Sequence, residues 1–279
     1  MPDKVAVRKA VIPAAGKGTR LLPLTKTVPK EMLPLGRKPV LGHIVDELAD
    51  AGIDQILFVI SEDKTCIPRY FDDGAVRFSS VNQPEQKGLA DAVLHGEEFA
   101  GQDAVAVALG DSVITSGEDK HVMRRLIEAY ESLDADCVIA VEEVPVSDAS
   151  RYGIVKPKVE VGDVFEIDDL VEKPPKDRLP SNLAIAGRYV LSPAIFDLIR
   201  ELKPGALGEL QLTDAIKMLL TAGRRVWCVR LRQSEQRTDI GTFASYFKAI
   251  IRTCCHDGEL GEQMRLIAGA ESRENRASA

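Results

Sequence analysis

The chain has 279 residues, 45% hydrophobic and 28% charged, enough length and apolar content to bury a sizeable core. Its 36 basic against 43 acidic side chains leave a net charge of −7, which argues against nucleic acid or an anionic membrane as the main partner. No apolar run approaches the roughly 18–20 residues of a membrane span, and "MPDKVAVRKA" lacks the apolar core of a signal peptide. The cysteines Cys66, Cys137, Cys228, Cys254 and Cys255 form no C-x-x-C pair, so a reduced, cytoplasmic protein without structural zinc is expected.

In chain order, "KAVIP" reads as a first strand that runs into a glycine turn at Gly16 and Gly18. A long basic, proline-marked loop follows, before Val40, Leu41, Ile44, Val45 and Leu48 take up helical spacing and Gly52 stops that helix. "QILFVI", "VRFSSVN" and "AVAVALG" then read as strands, and Met123, Leu126, Ile127 and Tyr130 as a helix face. "DCVIAVEE", "LAIAGRYVL" and "RVWCVRL" are further strands, with helix starts at Ser192-Pro193 and Thr213-Asp214. Apolar runs on consecutive positions, alternating with helices, predict a Rossmann-like three-layer α/β/α sandwich with a mostly parallel central sheet. Ligands in such a sheet bind beyond the carboxyl ends of strands. The candidate positions are therefore the opening loop, "GDS" after "AVAVAL", "VEKP" after the Ile167–Leu170 segment, and "RTDIG" beyond the last strand.

The opening loop carries the most chemistry. From Gly16 to Lys38 it holds Lys17, Arg20, Lys26, Lys30, Arg37 and Lys38 against the single acid Glu31, a local positive excess inside an acidic chain. Gly16 and Gly18 let the backbone approach a ligand and present N–H groups to phosphate oxygens, with Arg20 and Lys30 placed to hold outer phosphates. Two familiar phosphate loops do not fit. A P-loop needs a glycine where Val11 stands, and the dinucleotide G-x-G-x-x-G needs one where Leu21 stands.

"PAAGKGTRLLPLTKTVPKEMLPL" resembles the G-x-G-T-R…P-K-x-x-L-P signature of the sugar-1-phosphate nucleotidylyltransferases, and its P-K-E-M-L-P form resembles the uridylyltransferase branch acting on UTP and glucose 1-phosphate. The likeness continues in family order through "LGDSVI", "AVEEVPVSDASRYGIV", "LVEKPPKDRLPSNLAIAGRYVLSP", "LGELQLTDAI" and "DIGTFASYFKA". It implies the nucleotide-diphospho-sugar transferase fold as one domain over 1–268. A nucleotide-binding part would span about 8–115, a sugar-binding part about 116–245 and C-terminal helices about 242–268, with a disordered tail at 269–279. It also implies attack of a sugar-1-phosphate oxygen on the α-phosphorus of a nucleoside triphosphate, with pyrophosphate leaving. Charge neutralisation and in-line positioning are then the main needs.

The resemblance implies these roles. Arg20, Lys30 and Lys173 are catalytic contacts, with Lys173 on the sugar phosphate. Ala14, Ala15, Gly16, Gly18, Gln83 and Gly88 bind the nucleotide, and the Gln83 amide, both donor and acceptor, can read the imide edge of uracil or thymine. Gly153, Glu172, Asn182, Ala186 and Gly187 contact the sugar. Asp111 and Asp239 are ligands of a Mg²⁺ cofactor, with N-capping of the following helix as an alternative for Asp239. Nucleoside triphosphate and sugar 1-phosphate are the expected partners, in a homo-oligomer. Two departures bear on substrate choice. Uridylyltransferases show G-L-G-H-A where this chain has "GLADA", so Ala90 and Asp91 replace a glycine and a histidine and move the pattern towards thymidylyltransferases. A few dozen residues near 72–77 are also missing, in a region near subunit contacts, so the family's oligomeric order is not carried over. A catalytically silent nucleotide-sugar-binding paralogue is the reading from another class; retention of Arg20, Lys30, Asp111, Lys173 and Asp239 together argues against it.

Overall fold

The computed structural model describes residues 6–71, 76–116, 121–159, 162–205 and 208–277. Its strands in chain order are β1 (Lys9–Pro13), β2 (Pro34–Leu35), β3 (Lys38–Pro39), β4 (Gln55–Ile60), β5 (Arg77–Asn82), β6 (Val105–Ala108) and β7 (Ser112–Ser116). They continue with β8 (Cys137–Glu143), β9 (Gly153–Pro157), β10 (Val164–Glu172), β11 (Leu183–Leu191), β12 (Val226–Arg230) and β13 (Glu235–Asp239). The principal sheet has nine strands in the order β5-β4-β1-β6-β11-β8-β12-β10-β9. Within it, β11 and β10 run against the other strands, which share one direction through the parallel pairs β1–β4, β1–β6, β4–β5 and β8–β12.

The consecutive apolar positions are explained by burial on both sheet faces. Side chains alternate across a strand, so Ala10 and Ile12 join one core cluster and Val11 the other. Ile56 and Phe58 likewise oppose Leu57 and Val59, and Val138 and Ala140 oppose Ile139 and Val141. Helices Val40–Asp50 and Val122–Ser132 cover the first face through Leu41, Ile44, Leu48, Met123 and Leu126. Helices Leu89–Leu94, Ala194–Glu201 and Leu212–Thr221 cover the other through Val93, Ile195, Phe196, Leu212 and Ile216. The stop at Gly52 is as the sequence predicts: φ is +95° there, and its N–H and that of Ile53 return to the carbonyls of Ala49 and Leu48.

Helix Gly261–Ala277 runs into the segment expected as a tail. One expectation is corrected: Asp239 does not cap the next helix. Thr242 does so in a reciprocal capping box with Ser245, while Asp239 ends β13. Of the shortened connection near 72–77, residues 72–75 lie outside the described residues. Among the described residues, no helix is long and apolar enough to cross a membrane.

Candidate active site

Between β1 and helix Val40–Asp50 the opening loop folds into three short 3₁₀ turns, Thr19–Leu21, Leu24–Lys26 and Lys30–Met32. Gly18 adopts φ +63°, where a Cβ would meet the Thr25 side chain at 3.0 Å. The first residues of the loop have their carbonyls collected from behind. The buried Lys64 ammonium donates to Ala14 O at 2.5 Å, Gly16 O at 2.7 Å and Glu31 Oε2 at 2.9 Å, and Gln86 Nε2 donates to Ala15 O at 3.0 Å. With three successive carbonyls drawn away, the N–H groups of Ala15, Gly16, Lys17 and Gly18 find no acceptor among the described residues, the arrangement of an anion-binding nest. Lys64 and Glu31 are 4% and 1% exposed. Burial lifts the Glu31 carboxyl above the ordinary carboxylate range against the pull of the Lys64 and Lys30 ammoniums.

Lys30 reaches from the third turn to Asp111, Nζ to Oδ2 at 2.6 Å, and a Cβ on Gly16 would lie 3.4 Å from the same ammonium. Burial would push the two groups toward neutrality. Their mutual attraction prevails, so Lys30 titrates above and Asp111 below its usual range, Arg20 adding to the pull on Asp111. Asp111 follows the carboxyl end of β6, and the antiparallel pair β7–β13 sets Asp239 opposite Ser112, with Ile240 N–H donating to Asp111 O at 2.7 Å. Two acidic residues more than a hundred positions apart in sequence are thus brought to neighbouring backbone positions on one cavity. Arg237 holds Asp239 at 2.6 and 2.5 Å and Glu142 at 2.5 Å, with its guanidinium 4.8 Å from the centre of the Tyr152 ring. Burial lifts the Glu142 carboxyl against the attraction of Arg237. Arg20 lies over Gly241, whose Cβ would be 3.4 Å from its Nη2.

The opposite wall starts at the β9–β10 pairing of Gly153 with Glu172. Glu172 Oε2 accepts a bond from Thr213 Oγ1 at 2.8 Å; a Cβ on Gly153 would come within 3.1 Å of that oxygen. Lys173 has φ +43°, a left-handed conformation that a side chain adopts at a cost of about 1 kcal/mol or more, and such outliers concentrate at functional sites. Its N–H donates to Tyr152 O at 3.0 Å, which holds the turn. Gly187, at φ +74°, lies where the β11–β8 register shifts. These residues line one cavity of about 900 Å³ that also holds Arg20, Asp111, Glu142, Arg237 and Asp239.

The structure brings Arg20, Asp111, Gly153, Glu172, Lys173, Gly187 and Asp239 to that cavity, with Lys30 joined to it through Asp111. Ala186 is fully buried and Asn182 Nδ2 turns to Val144 O at 3.4 Å, so neither side chain lines it. Gln83 lines a second cavity of about 470 Å³ with Ser61, Glu62, Asp63, Asn82 and Pro84. Gly88, at φ +116°, makes its close approach to Leu210, whose carbonyl oxygen would be 2.5 Å from a Cβ there. Lys64 and Glu142 carry no functional signal of their own in the sequence, and Thr213 and Arg237 stand there only as a helix start and as the first residue of "RTDIG". Lys64 stands in "SEDKT", which reads as a surface loop; Arg237, two residues before Asp239 on one strand, carried the only spacing signal.

Among the described residues no group of three or more His, Cys, Asp or Glu is placed to hold a metal ion. Asp111 and Asp239 nevertheless suit a small, hard cation, since Mg²⁺ is commonly bound by one or two carboxylates and completes its shell with substrate phosphates and water.

The Nucleotidyl transferase family model matches residues 9–254. A UTP–glucose-1-phosphate uridylyltransferase of Staphylococcus epidermidis is 38% identical over 283 aligned residues, covering 93% of this chain and 96% of that protein. Among solved structures, a UDP-glucose pyrophosphorylase complexed with UDP-glucose is similar with a TM-score of 0.82 and 35% identity, covering 88% of this chain and 97% of that one. A UTP-bound UGPase from Acinetobacter baumannii is similar with a TM-score of 0.86 and 33% identity, covering 94% and 98%.

Proposed function

The chain belongs to the nucleotidyl transferase family, and on that footing we propose that it condenses UTP with α-D-glucose 1-phosphate to give UDP-glucose and pyrophosphate. The observation that carries this reading is the single cavity in which the Lys30–Asp111 pair and Asp239 face Glu172 and Lys173. Anion-holding groups lie on one side and a carboxylate able to accept from sugar hydroxyls on the other.

An oxygen of the sugar phosphate attacks the α-phosphorus, the bond from that phosphorus to the bridging oxygen breaks, and pyrophosphate carries away the electron pair. The attacking group is already an anion, so no side chain is needed as nucleophile. The N–H groups from Ala15 to Gly18 face the triphosphate, Arg20 and Lys30 neutralise charge that shifts onto the leaving pyrophosphate, and Lys173 orients the incoming phosphate. Thr213 fixes the Glu172 carboxylate so that it accepts from adjacent hexose hydroxyls. Asp111 and Asp239 would hold Mg²⁺, which when bound supplies further neutralisation at the phosphate oxygens.

The test is a substrate panel. Purified protein with Mg²⁺ and glucose 1-phosphate should release pyrophosphate fastest with UTP. A clear preference for dTTP would favour the thymidylyltransferase alternative that Ala90 and Asp91 raise. Tight nucleotide-sugar binding without turnover would point to a silent paralogue.

A further inference from the structure

We propose that Asp91 determines which nucleobase the site accepts, as a positioning residue that fixes the amide of Gln83. This rests on the reading of Gln83 as the base contact. Gln83 is 3% exposed, its N–H is bonded to Ile60 O at 2.8 Å, and its side-chain Nε2 donates to Asp91 Oδ2 at 2.6 Å. Asp91 is equally anchored, in helix Leu89–Leu94, where Ala90 N–H bonds Leu210 O at 3.0 Å and the backbone of Gly88 is wedged against the same residue.

A free glutamine amide can turn over and exchange its donor for its acceptor. An ionised carboxylate only accepts, so with Asp91 in place the nitrogen must face it and the oxygen must face away. Gln83 Oε1 receives no bond from the described residues, and it is not among the buried unpartnered atoms; it is left as an acceptor on a residue that lines the second cavity. Uracil and thymine carry an N3–H that such an acceptor can bind. Cytosine presents a bare N3 lone pair at the same place and would leave the oxygen facing another acceptor. A site committed to one hydrogen-bond polarity rejects the base of opposite polarity far more strongly than a site that can turn. Asp91 stands where the histidine of the uridylyltransferase pattern was expected, and histidine can donate or accept. The polarity here comes from a group that can only accept.

The experiment measures UTP and CTP dissociation constants by titration calorimetry, and kcat/KM for both with glucose 1-phosphate, in the native chain and in Asp91→Asn, Asp91→Ala, Asp91→Glu and Gln83→Leu. The native chain should favour UTP over CTP by at least a thousandfold. Asp91→Asn and Asp91→Ala should each lower that ratio tenfold or more, mainly by tighter CTP binding, and Asp91→Glu should keep most of it. Two neutral substitutions are included so that one that fails to fold still leaves a measurement. An unchanged ratio in both, with a collapsed ratio in Gln83→Leu, overturns the role of Asp91 while the base contact stands. An unchanged ratio in Gln83→Leu as well overturns the base contact itself.

Discussion

Replacing Lys64 with Met keeps an aliphatic stem in a buried position but leaves three acceptors without their donor: Ala14 O, Gly16 O and Glu31 Oε2, now held at 2.5, 2.7 and 2.9 Å. Glu31 is 1% exposed, so its carboxylate cannot recover the loss from water. Removing one partner of a buried pair costs about 3–5 kcal/mol, because the remaining charge is uncompensated; about 4 kcal/mol is roughly a thousandfold in the folding equilibrium. Glu31 already titrates above its ordinary range through burial, and losing Lys64 removes the main attraction opposing that rise. The sign follows from proton linkage. A carboxyl whose folded pKa is raised above an unfolded value of about 4.3 favours folding below that value and loses the contribution as pH rises through the folded pKa. The two carbonyls left without a donor weaken the variant at every pH, and the uncompensated carboxylate adds to this as pH rises, so the variant should trail the native chain least near pH 5 and most at pH 8. The assay is the urea midpoint by far-UV circular dichroism at both pH values, with Glu31→Gln added to the variant. That second change should recover about 2 kcal/mol at pH 8, because a neutral amide tolerates the site better than a lone carboxylate. With the Ala14 and Gly16 carbonyls free to turn inward, KM for UTP should rise about tenfold while KM for glucose 1-phosphate holds. A pH-independent deficit, or none at pH 8, would refute the reasoning.

Three further outcomes are expected. Asp111→Asn should cut kcat by roughly two orders of magnitude or more, the scale seen when a group stabilising transition-state charge is removed, with an unchanged far-UV spectrum; a loss of only a few-fold in steady-state pyrophosphate release would sink its role as a metal carboxylate. Lys173→Gly should be more thermally stable than Lys173→Ala by about 1 kcal/mol, since glycine adopts φ +43° without strain, yet both should lose activity. Thr213→Val removes the hydroxyl bonded to Glu172 at 2.8 Å and should raise KM for glucose 1-phosphate by about tenfold, matching a hydrogen bond to a charged group of roughly 1.5 kcal/mol; a change in KM for UTP instead would misplace that wall.

The sequence alone determined the strand runs, because a strand buried on both faces must be apolar at every position, as Ala10, Val11 and Ile12 are. It determined the helix stop at Gly52, where only a residue tolerant of φ +95° fits well, and it marked the opening loop, whose glycines and cations are unusual in composition as well as in place. It could not say which cation meets which acid. Lys30 finds Asp111 from 81 positions away, Arg188 finds Glu47 from 141, and Asp239 stands beside Asp111 only because β13 returns to pair with β7. Lys64 reads as a surface lysine until β1 and β4 lie side by side and carry the segments that follow them into contact. Propensity and periodicity act over a few residues. The hydrogen bonds that draw carbonyls away from the loop, hold Glu172 at the cavity wall and fix the Gln83 amide depend on how separate segments are brought together, which only the tertiary structure sets.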